Sequence, residues 1–239
     1  MSKLTQAVVM LLFGGAILRA SFTDLYLRYV KEGLRPFLIG AGLLLVAAAV
    51  MTLWYTLRSS PSDSASPSAS HDHHEPRVGW LLILPVLGLL LVAPPALGSY
   101  AAEQAGSVVA QPVDNSDYPP LPAGDPVDVS LVDYASRALF DAGESMQDRE
   151  VRLTGFITTA PDGKPMLARI VLSCCAADGR PIKIGLTGRA PIDVPVDTWV
   201  AVVGAYSPEK GKDPVNNVDV AYLEVKTWAE VPEPKQPYA

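Results

Sequence analysis

Long apolar stretches in the amino-terminal part of the chain dominate the pattern of hydrophobic and polar positions. Residues 36–57 include no charged side chain over 22 positions, and residues 78–102 include none over 25. About 20 helical residues cross the hydrocarbon core of a bilayer, so either stretch is long enough to span one. The pattern therefore predicts transmembrane helices over residues 37–57 and 78–97.

A shorter apolar run precedes them and is harder to interpret. Residues 4–18 are uncharged, but Arg19 and Asp24 follow soon after. A lysine followed by such a run is typical of a secretory signal peptide. No small-residue cleavage site followed by a soluble region appears, and the next apolar stretch begins at once. We therefore predict a transmembrane helix over residues 4–27. With three such helices the chain would be a multi-pass protein of the cell membrane, in contact with the lipid bilayer.

The segment between the second and third predicted helices, residues 58–77, is rich in Ser, Pro, Asp and His. This composition cannot bury a core and is typical of a flexible loop. The loop holds all three histidines of the chain, His71, His73 and His74. Imidazoles on a mobile segment could capture a metal ion weakly, and a merely hydrophilic loop is an equal alternative.

Charge is distributed unevenly after the apolar helices. Residues 99–148 hold one arginine against nine acidic residues, whereas residues 149–239 hold eleven of each sign. The first part of this region, residues 99–128, is also rich in proline and predicts an acidic spacer. No basic surface remains that would attract a nucleic acid, so we exclude that class of partner.

Beyond residue 128 the period of the pattern changes. Ser130 predicts a helix cap, and the apolar residues that follow it at helical spacing are Leu131, Tyr134, Ala135, Ala138 and Leu139. Alternation of period two then predicts five strands, at residues 151–158, 166–175, 182–186, 199–206 and 218–225. Residues 129–239 should therefore form an amphipathic helix and a small five-stranded OB-like β-barrel, with Gly155 relieving a bend in the first strand. The fold class is an α+β membrane protein, and a small β-sandwich is the alternative for its soluble part.

Adjacent cysteines at the end of the second predicted strand are the most distinctive chemical feature. Strand alternation predicts that Cys174 points inward beside Ile170 and that Cys175 points outward. Thiolates are soft ligands that suit zinc or monovalent copper, and Asp178 could add an oxygen ligand. The alternative is that Cys174 is a small buried hydrophobic residue and Cys175 an incidental thiol.

Catalysis is not indicated. A disulfide between the neighbouring residues Cys174 and Cys175 would be strained. A reactive thiolate would need a positive charge nearby, and Arg180 is the candidate source of that charge. The predicted barrel contains no histidine to activate a thiol, and no paired general acid and base appear. We therefore expect a protein that is not an enzyme and has no catalytic residue.

Three blocks of sequence carry a resemblance to a known family. They are Val-Ala-Pro-Pro-Ala-Leu-Gly at 92–98, Val-Arg-Leu-Thr-Gly-Phe at 151–156 and Ser-Cys-Cys-Ala-Ala-Asp at 173–178. With the short apolar helices, they resemble the YcgQ-like bacterial membrane proteins, which are typically encoded beside a predicted permease. The resemblance implies an accessory subunit of that permease, an association with zinc or other metal homeostasis, and functional roles for Cys174, Cys175 and Asp178.

The leading hypothesis from the sequence is thus a permease accessory protein whose carboxyl-terminal domain binds or transfers a metal-linked cargo. A partner-docking protein with packing cysteines and a thiol-redox protein are the alternatives. Positive charges are nearly balanced between the two ends of the predicted helices and do not fix the orientation. Because residues 78–136 carry no Lys or Arg, we expect the carboxyl-terminal domain outside the cytoplasm.

Overall fold

The chain forms two compact units in the computed structural model. The structure describes residues 3–58, 88, 95–108, 118–146, 149–188, 190 and 192–239. The first unit comprises Met1–Tyr26 and Glu32–Pro95, and the second comprises Leu27–Lys31 together with Ala96–Ala239. His71, His73 and His74 lie outside the described residues, as does most of the predicted helix over 78–97.

Two apolar helices make up the described part of the first unit. Helix α1 spans Lys3–Phe22 and α2 spans Arg35–Arg58. Both are long and apolar enough to cross a membrane. Helix α1 ends five residues before the predicted limit, because the Thr23 hydroxyl donates to the carbonyl oxygens of Arg19 and Ala20 at 3.2 Å and a 3-10 turn, Asp24–Arg28, follows.

Glycines set the contact between α1 and α2. A Cβ atom on Gly14 would lie 3.0 Å from the carbonyl oxygen of Gly42 and 2.9 Å from Val46, and one on Gly42 would lie 2.8 Å from Leu18. No atom lies within 4 Å of a Cβ atom placed on the neighbouring Gly15 or Gly40. Small residues allow helix backbones to approach closely, so two of the four glycines in these helices are used for packing.

The second unit is built on a closed five-stranded β-barrel, which confirms the predicted strand number. A short strand β1, Val127–Asp128, precedes it. The barrel strands are β2 (Val151–Thr159), β3 (Pro165–Val171), β4 (Arg180–Gly188), β5 (Trp199–Lys212) and β6 (Asp219–Glu230). They are ordered β2-β3-β4-β6-β5, and β5 pairs back with β2. Only the β1–β2 and β4–β6 pairs among the described strands are parallel.

Gly155 lies close to the backbone of β3. A Cβ atom there would come within 2.5 Å of the Ala168 carbonyl oxygen. A side chain at this position would therefore separate the two strands. The barrel interior is filled by alternate residues of all five strands, among them Leu153, Leu167 and Ile184.

The predicted amphipathic helix is confirmed. Helix α4, Leu131–Phe140, begins at Ser130, whose side chain accepts a hydrogen bond from the Asp133 backbone N–H. Its apolar face packs into the barrel core through Leu131, Tyr134 and Ala138. The Tyr134 hydroxyl donates to the Tyr222 carbonyl oxygen at 2.6 Å, which fixes the helix against β6.

The prediction for β3 is wrong in its length and in its inward face. The strand ends at Val171, four residues before Cys175. Leu167 faces the barrel core, whereas Ala168, Ile170 and Leu172 belong to a second apolar cluster with Phe156, Ala102 and Tyr238. Both faces of β3 are buried because other segments cover the strand, and alternation cannot identify the inward face of such a strand.

Part of the predicted acidic spacer, residues 99–128, forms regular structure. Residues 99–104 form helix α3, Ser99–Gln104, whose Ala102 is fully buried. The Asp197 carboxylate accepts hydrogen bonds from the Ser99 N–H at 2.5 Å and from its hydroxyl at 2.8 Å. Aspartate side chains thus hold a polar segment against the barrel, a contact that composition does not reveal.

The helix contact is testable with neighbouring glycines. Gly14→Ala should destabilise the α1–α2 pair by about 1–3 kcal/mol, because the added methyl group meets the backbone of α2. Gly15→Ala is the matched control and should leave the pair intact, since its methyl group points into open space. Unfolding of the full-length protein by SDS, followed by circular dichroism, measures both. Equal midpoints for the two variants would contradict the glycine contact.

Candidate functional site

The two cysteines lie in a loop between β3 and β4. Cys174 is exposed, Cys175 is half-buried, and both thiols are free. The prediction that Cys174 points inward in a strand is therefore wrong. The chain leaves the strand at Val171 and closes a 3-10 turn over Ala176–Asp178, so strand alternation no longer applies at the cysteines.

The carboxylate of Asp178 organises this loop. Its Oδ1 accepts a hydrogen bond from the Ser173 N–H at 3.0 Å. Its Oδ2 accepts from the N–H groups of Cys174 at 2.7 Å and Cys175 at 3.3 Å. Three consecutive backbone donors that would otherwise lack a strand partner are thereby satisfied. Asp178 is thus a structural anchor of the loop as well as a neighbour of the thiols.

A second strand-like segment of the same unit pairs with the loop. The Lys31 N–H donates to the Cys174 carbonyl oxygen at 3.1 Å, and the Ala176 N–H donates to the Tyr29 carbonyl oxygen at 2.7 Å. Val30 and Cys175 form an isolated antiparallel bridge. The backbone on both sides of Cys175 is therefore fixed by hydrogen bonds to residues that precede it by more than half of the chain.

Residues near the carboxyl terminus fasten this paired segment to the barrel. The Tyr238 hydroxyl donates to the Arg28 carbonyl oxygen at 2.8 Å and accepts from the Leu97 N–H at 3.0 Å. Burial raises the pKa of Tyr238, so the hydroxyl keeps the proton that it donates. Tyr29, Lys31 and Tyr238 could not be identified from the sequence, because backbone pairing over such a distance leaves no local pattern.

The thiol of Cys174 is held in its protonated form. A hydrogen bond to the Asp178 carboxylate, with a smaller contribution from Cys175, raises the pKa of Cys174 to about 11. The same bond lowers the pKa of Asp178, and the backbone N–H of Cys174 adds to this effect. A redox or nucleophilic cysteine needs a lowered pKa. The environment of Cys174 therefore works against the thiol-redox hypothesis, and Arg180 is not among the groups that shift its pKa.

The loop brings together three of the six predicted metal ligands. One ligand atom each from Cys174, Cys175 and Asp178 lies within 4.8 Å of the others. Two thiolates and a carboxylate suit zinc, and three protein ligands leave a fourth tetrahedral position open. Asp178 Oδ1 accepts one backbone N–H, so it retains a lone pair for a metal ion. The residues present thus fit a metal ion at an exposed, incompletely coordinated site.

A second polar centre, which was not predicted, lies elsewhere in the same unit. Lys183 and Asp213 form a buried ion pair with an Nζ–Oδ2 distance of 2.9 Å. Asp213 also accepts the N–H of Ser107 at 3.1 Å and that of Val215 at 2.8 Å. Burial acts to raise the pKa of Asp213, but the bond from Lys183 and these backbone bonds hold it below its usual value. The sequence did contain one sign of this ion pair, because Lys183 stands among the apolar residues of a predicted strand.

One known family model matches the barrel domain. Residues 134–239 match the DUF1980 C-terminal domain. The match covers most of helix α4, all five barrel strands and the cysteine loop, and it is consistent with the YcgQ-like resemblance noted from the sequence. No curated protein and no solved structure matches the chain.

The raised pKa of Cys174 predicts how the reactivity of its thiol depends on pH. In a Cys175→Ser background, alkylation of Cys174 by iodoacetamide should accelerate at a higher pH than that of an ordinary thiol, because the hydrogen bond to Asp178 still raises the pKa of Cys174. Because the folded pKa lies above the ordinary value of 9.0, the hydrogen bond stabilises the fold below pH 9. That stabilisation is lost as pH rises toward 11.

Asp178→Asn is the matched control for this titration. The amide keeps one acceptor oxygen for the loop but removes the negative charge that opposes thiolate formation. Its alkylation profile should therefore move to lower pH. A plateau in the reaction rate near neutral pH in the protein with Asp178 intact would refute the proposed hydrogen bond.

Proposed function

We propose that this protein is a membrane-anchored accessory subunit of a permease that binds a soft metal ion at the cysteine loop and passes it on. The observation that carries the proposal is the convergence of Cys174, Cys175 and Asp178 within 4.8 Å on an exposed loop. Thiolate ligands favour zinc or monovalent copper over magnesium or calcium. Zinc is the metal that the family resemblance suggests, and it tolerates the mixed sulfur and oxygen ligands.

The exposure of the site supports transfer rather than permanent storage. Structural zinc sites are usually closed by four protein ligands, whereas a site with three leaves a position for an incoming ligand. Cys174 is exposed, so a ligand on a partner protein can approach the bound ion. An exchange of ligands at the open position would move the metal without first releasing it into water.

Protonation of Cys174 makes the proposed binding reversible with pH. The metal must displace the proton that the thiol shares with Asp178, because only the thiolate is a ligand. A pKa raised above its ordinary value lowers the thiolate fraction at neutral pH. Metal affinity is correspondingly reduced at neutral pH and rises with pH, which suits a site that must also give up its ion.

The membrane anchor in this proposal consists of α1 and α2, with further apolar sequence beyond residue 77. Large apolar side chains on α2, including Phe37, Leu44 and Leu57, are 72%, 73% and 82% exposed. Burial of such surface in lipid removes it from water at a gain of about 25 cal/mol per Å². Insertion into a bilayer accounts for this apolar surface better than exposure to solvent does.

The connection between the two helices supports an assignment of sides. Leu27–Lys31 belongs to the same compact unit as the barrel. If α1 and α2 both cross the membrane, their connection and the barrel then share one side. We propose that this side lies outside the cytoplasm, in keeping with the missing Lys and Arg residues from 78 to 136.

The strand order supports an OB-like assignment for the barrel. A five-stranded Greek-key barrel in which the first strand pairs with both the second and the fourth is the OB arrangement, and β2 pairs with β3 and β5 in this way. OB-like barrels are binding modules, which agrees with an accessory role beside a permease rather than with catalysis.

Partner docking with inert cysteines is the alternative function, and the exposure of the thiols weighs against it. That hypothesis needs Cys174 as a packing residue, yet its side chain is exposed. Removing it would leave no cavity in the core. The docking hypothesis then holds only if Cys174 neither packs nor binds, and in that form it predicts that Cys174→Ser is silent in stability and in function alike.

Metal binding is the direct test of the proposal. Reduced full-length protein in detergent should bind one zinc ion per chain in calorimetry and should release protons on binding, because the Cys174 thiol loses its proton. The Cys174→Ser/Cys175→Ser variant should lose this binding. Asp178→Asn should bind more weakly, since it lacks the carboxylate ligand.

Asp162→Asn is the control for the aspartate variant, because Asp162 is an exposed aspartate in the turn between β2 and β3. It should bind zinc like the unmodified protein. Equal melting temperatures for all variants would show that the loop still folds. If the double cysteine variant bound zinc unchanged, or if the unmodified protein bound neither zinc nor monovalent copper, the proposed function would be wrong.

The membrane orientation has its own test. Single cysteines replace Lys3, Glu32 and Asp162 in turn, in the Cys174→Ser/Cys175→Ser background; all three positions are exposed. A membrane-impermeant maleimide added to intact cells should label Glu32→Cys and Asp162→Cys, and Lys3→Cys only after permeabilisation. Labelling of Glu32→Cys and Asp162→Cys from different sides would contradict the shared location of the helix connection and the barrel.

A further inference from the structure

Part of the connection between α1 and α2 belongs to the barrel unit without belonging to its core. Leu27–Lys31 groups with residues 96–239 in that unit. Among the described residues, none from Leu27–Lys31 is a member of the two apolar clusters of the barrel. A segment that is held by hydrogen bonds rather than by a buried core opens at a low free-energy cost. Leu27–Lys31 can therefore leave the cysteine loop while the barrel stays folded.

The cysteine loop keeps its own support when this pairing opens. The Asp178 carboxylate accepts three backbone N–H groups from within the loop. The paired segment adds one hydrogen bond on each side of Cys175, from the Lys31 N–H and to the Tyr29 carbonyl oxygen. Opening would thus free the backbone around Cys175 without unfolding the loop, which gives a paired and an open form of the site.

Tyr238 favours the paired form, because it fixes the segment to the barrel. Its ring is buried in the apolar cluster that contains Ile170 and Leu172. The Ala239 N–H donates to the Ile170 carbonyl oxygen at 2.9 Å, so the end of the chain is itself held on β3. From this anchored position the Tyr238 hydroxyl donates to the Arg28 carbonyl oxygen at 2.8 Å. The hydrogen bond lies directly before the three residues that pair with the loop.

The two forms differ in how well they are prepared for a metal ion. In the paired form, ligand atoms of Cys174, Cys175 and Asp178 lie within 4.8 Å of one another. The hydrogen bonds on both sides of Cys175 hold the backbone between the thiols in that conformation before an ion arrives. Preorganisation lowers the entropy cost of binding, so the paired form has the higher affinity. By thermodynamic linkage, a bound ion then favours the paired form by the same factor.

We propose that metal binding at the cysteine loop and the pairing of residues 29–31 stabilise each other, with Tyr238 as the positioning residue. Residues 29–31 lie between α1 and α2 in the chain. A loaded loop would therefore fix the connection of the two apolar helices, and an empty loop would leave this connection free to open. Because the coupling needs a metal ion at the loop, the inference rests on the proposed function.

The test is hydrogen exchange of backbone amides, measured by mass spectrometry on reduced full-length protein in detergent. The Lys31 and Ala176 amides report the pairing, since each donates a hydrogen bond across it. Saturation with zinc should slow the exchange of both amides by at least about 5-fold. In the Cys174→Ser/Cys175→Ser variant, zinc should change neither rate. Monovalent copper replaces zinc as the probe if only copper binds.

Tyr238→Phe tests the role of the positioning residue. Phenylalanine keeps the ring in its apolar cluster and removes the hydroxyl that holds Arg28. Without metal, exchange at Lys31 should become about 3- to 10-fold faster through the lost hydrogen bond. Tyr134→Phe is the matched control, because it removes another buried tyrosine hydroxyl that donates to a backbone carbonyl oxygen. That hydroxyl takes no part in the pairing, so exchange at Lys31 should stay unchanged.

Lys31→Pro/Tyr238→Phe tests the effect of the pairing on affinity. Proline removes the N–H that donates to the loop, and the double variant should therefore populate the open form. Rapid exchange of the Ala176 amide would verify that the pairing has opened. Zinc affinity should then fall by at least about 5-fold, and by the same factor as zinc slows exchange in the unmodified protein. Tyr134→Phe should bind zinc normally.

Two results would overturn the inference alone, because the metal binds in both. They are unchanged exchange of the Lys31 and Ala176 amides in the metal-saturated protein, and unchanged affinity in the double variant once its Ala176 amide exchanges rapidly. If the unmodified protein bound neither zinc nor monovalent copper, the proposed function would be wrong and the inference would fall with it.

Discussion

Hydrogen bonds from backbone N–H groups to aspartate side chains hold the irregular segments of the soluble unit on its barrel. Asp178 gathers the cysteine loop, Asp197 receives the start of α3, and Asp213 binds the segment around Ser107. Each carboxylate satisfies donors that no strand or helix could satisfy. A five-stranded barrel leaves such segments at its ends and edges, and the cysteine loop is one that its aspartate holds in place.

Asp213 and Asp178 differ in the side chain that each one contacts. Asp213 faces a lysine, and the pair is neutral, rigid and buried, with side-chain exposures of 5% for Lys183 and 0% for Asp213. Removing one partner of such a pair typically costs about 3–5 kcal/mol, so its role is structural. Asp178 faces a thiol on the surface instead. A metal ion can replace the shared proton there without burying a charge, which makes this aspartate the one suited to reversible chemistry.

The sequence predicted the barrel well because its evidence was local. Period-two alternation, the Ser130 cap and Gly155 each reflect contacts within one element or between adjacent strands. The same alternation gave the wrong position for Cys174. Strand β3 is covered on both faces, and Asp178 ends it early. Alternation of apolar and polar residues identifies the inward face of a strand only where the other face meets solvent. It also fails beyond the residue at which the strand ends.

The candidate site could be predicted only in part. Residue chemistry and the family resemblance selected Cys174, Cys175 and Asp178, whose proximity follows from their short spacing. The pairing of Tyr29 and Lys31 with the loop could not be foreseen, since its hydrogen bonds involve backbone atoms that every residue possesses.

The bridge between Val30 and Cys175 also constrains the order in which the protein matures. Contacts between residues so far apart in sequence form late, because the entropy of closing the intervening chain must be overcome first. During synthesis the connection between the apolar helices emerges long before the strand to which it will pair. The cysteine loop therefore acquires its full set of hydrogen bonds only once the chain has been made through Asp178 and has closed back on residues 29–31. A product that lacks residues 29–31 presents its thiols without this pairing.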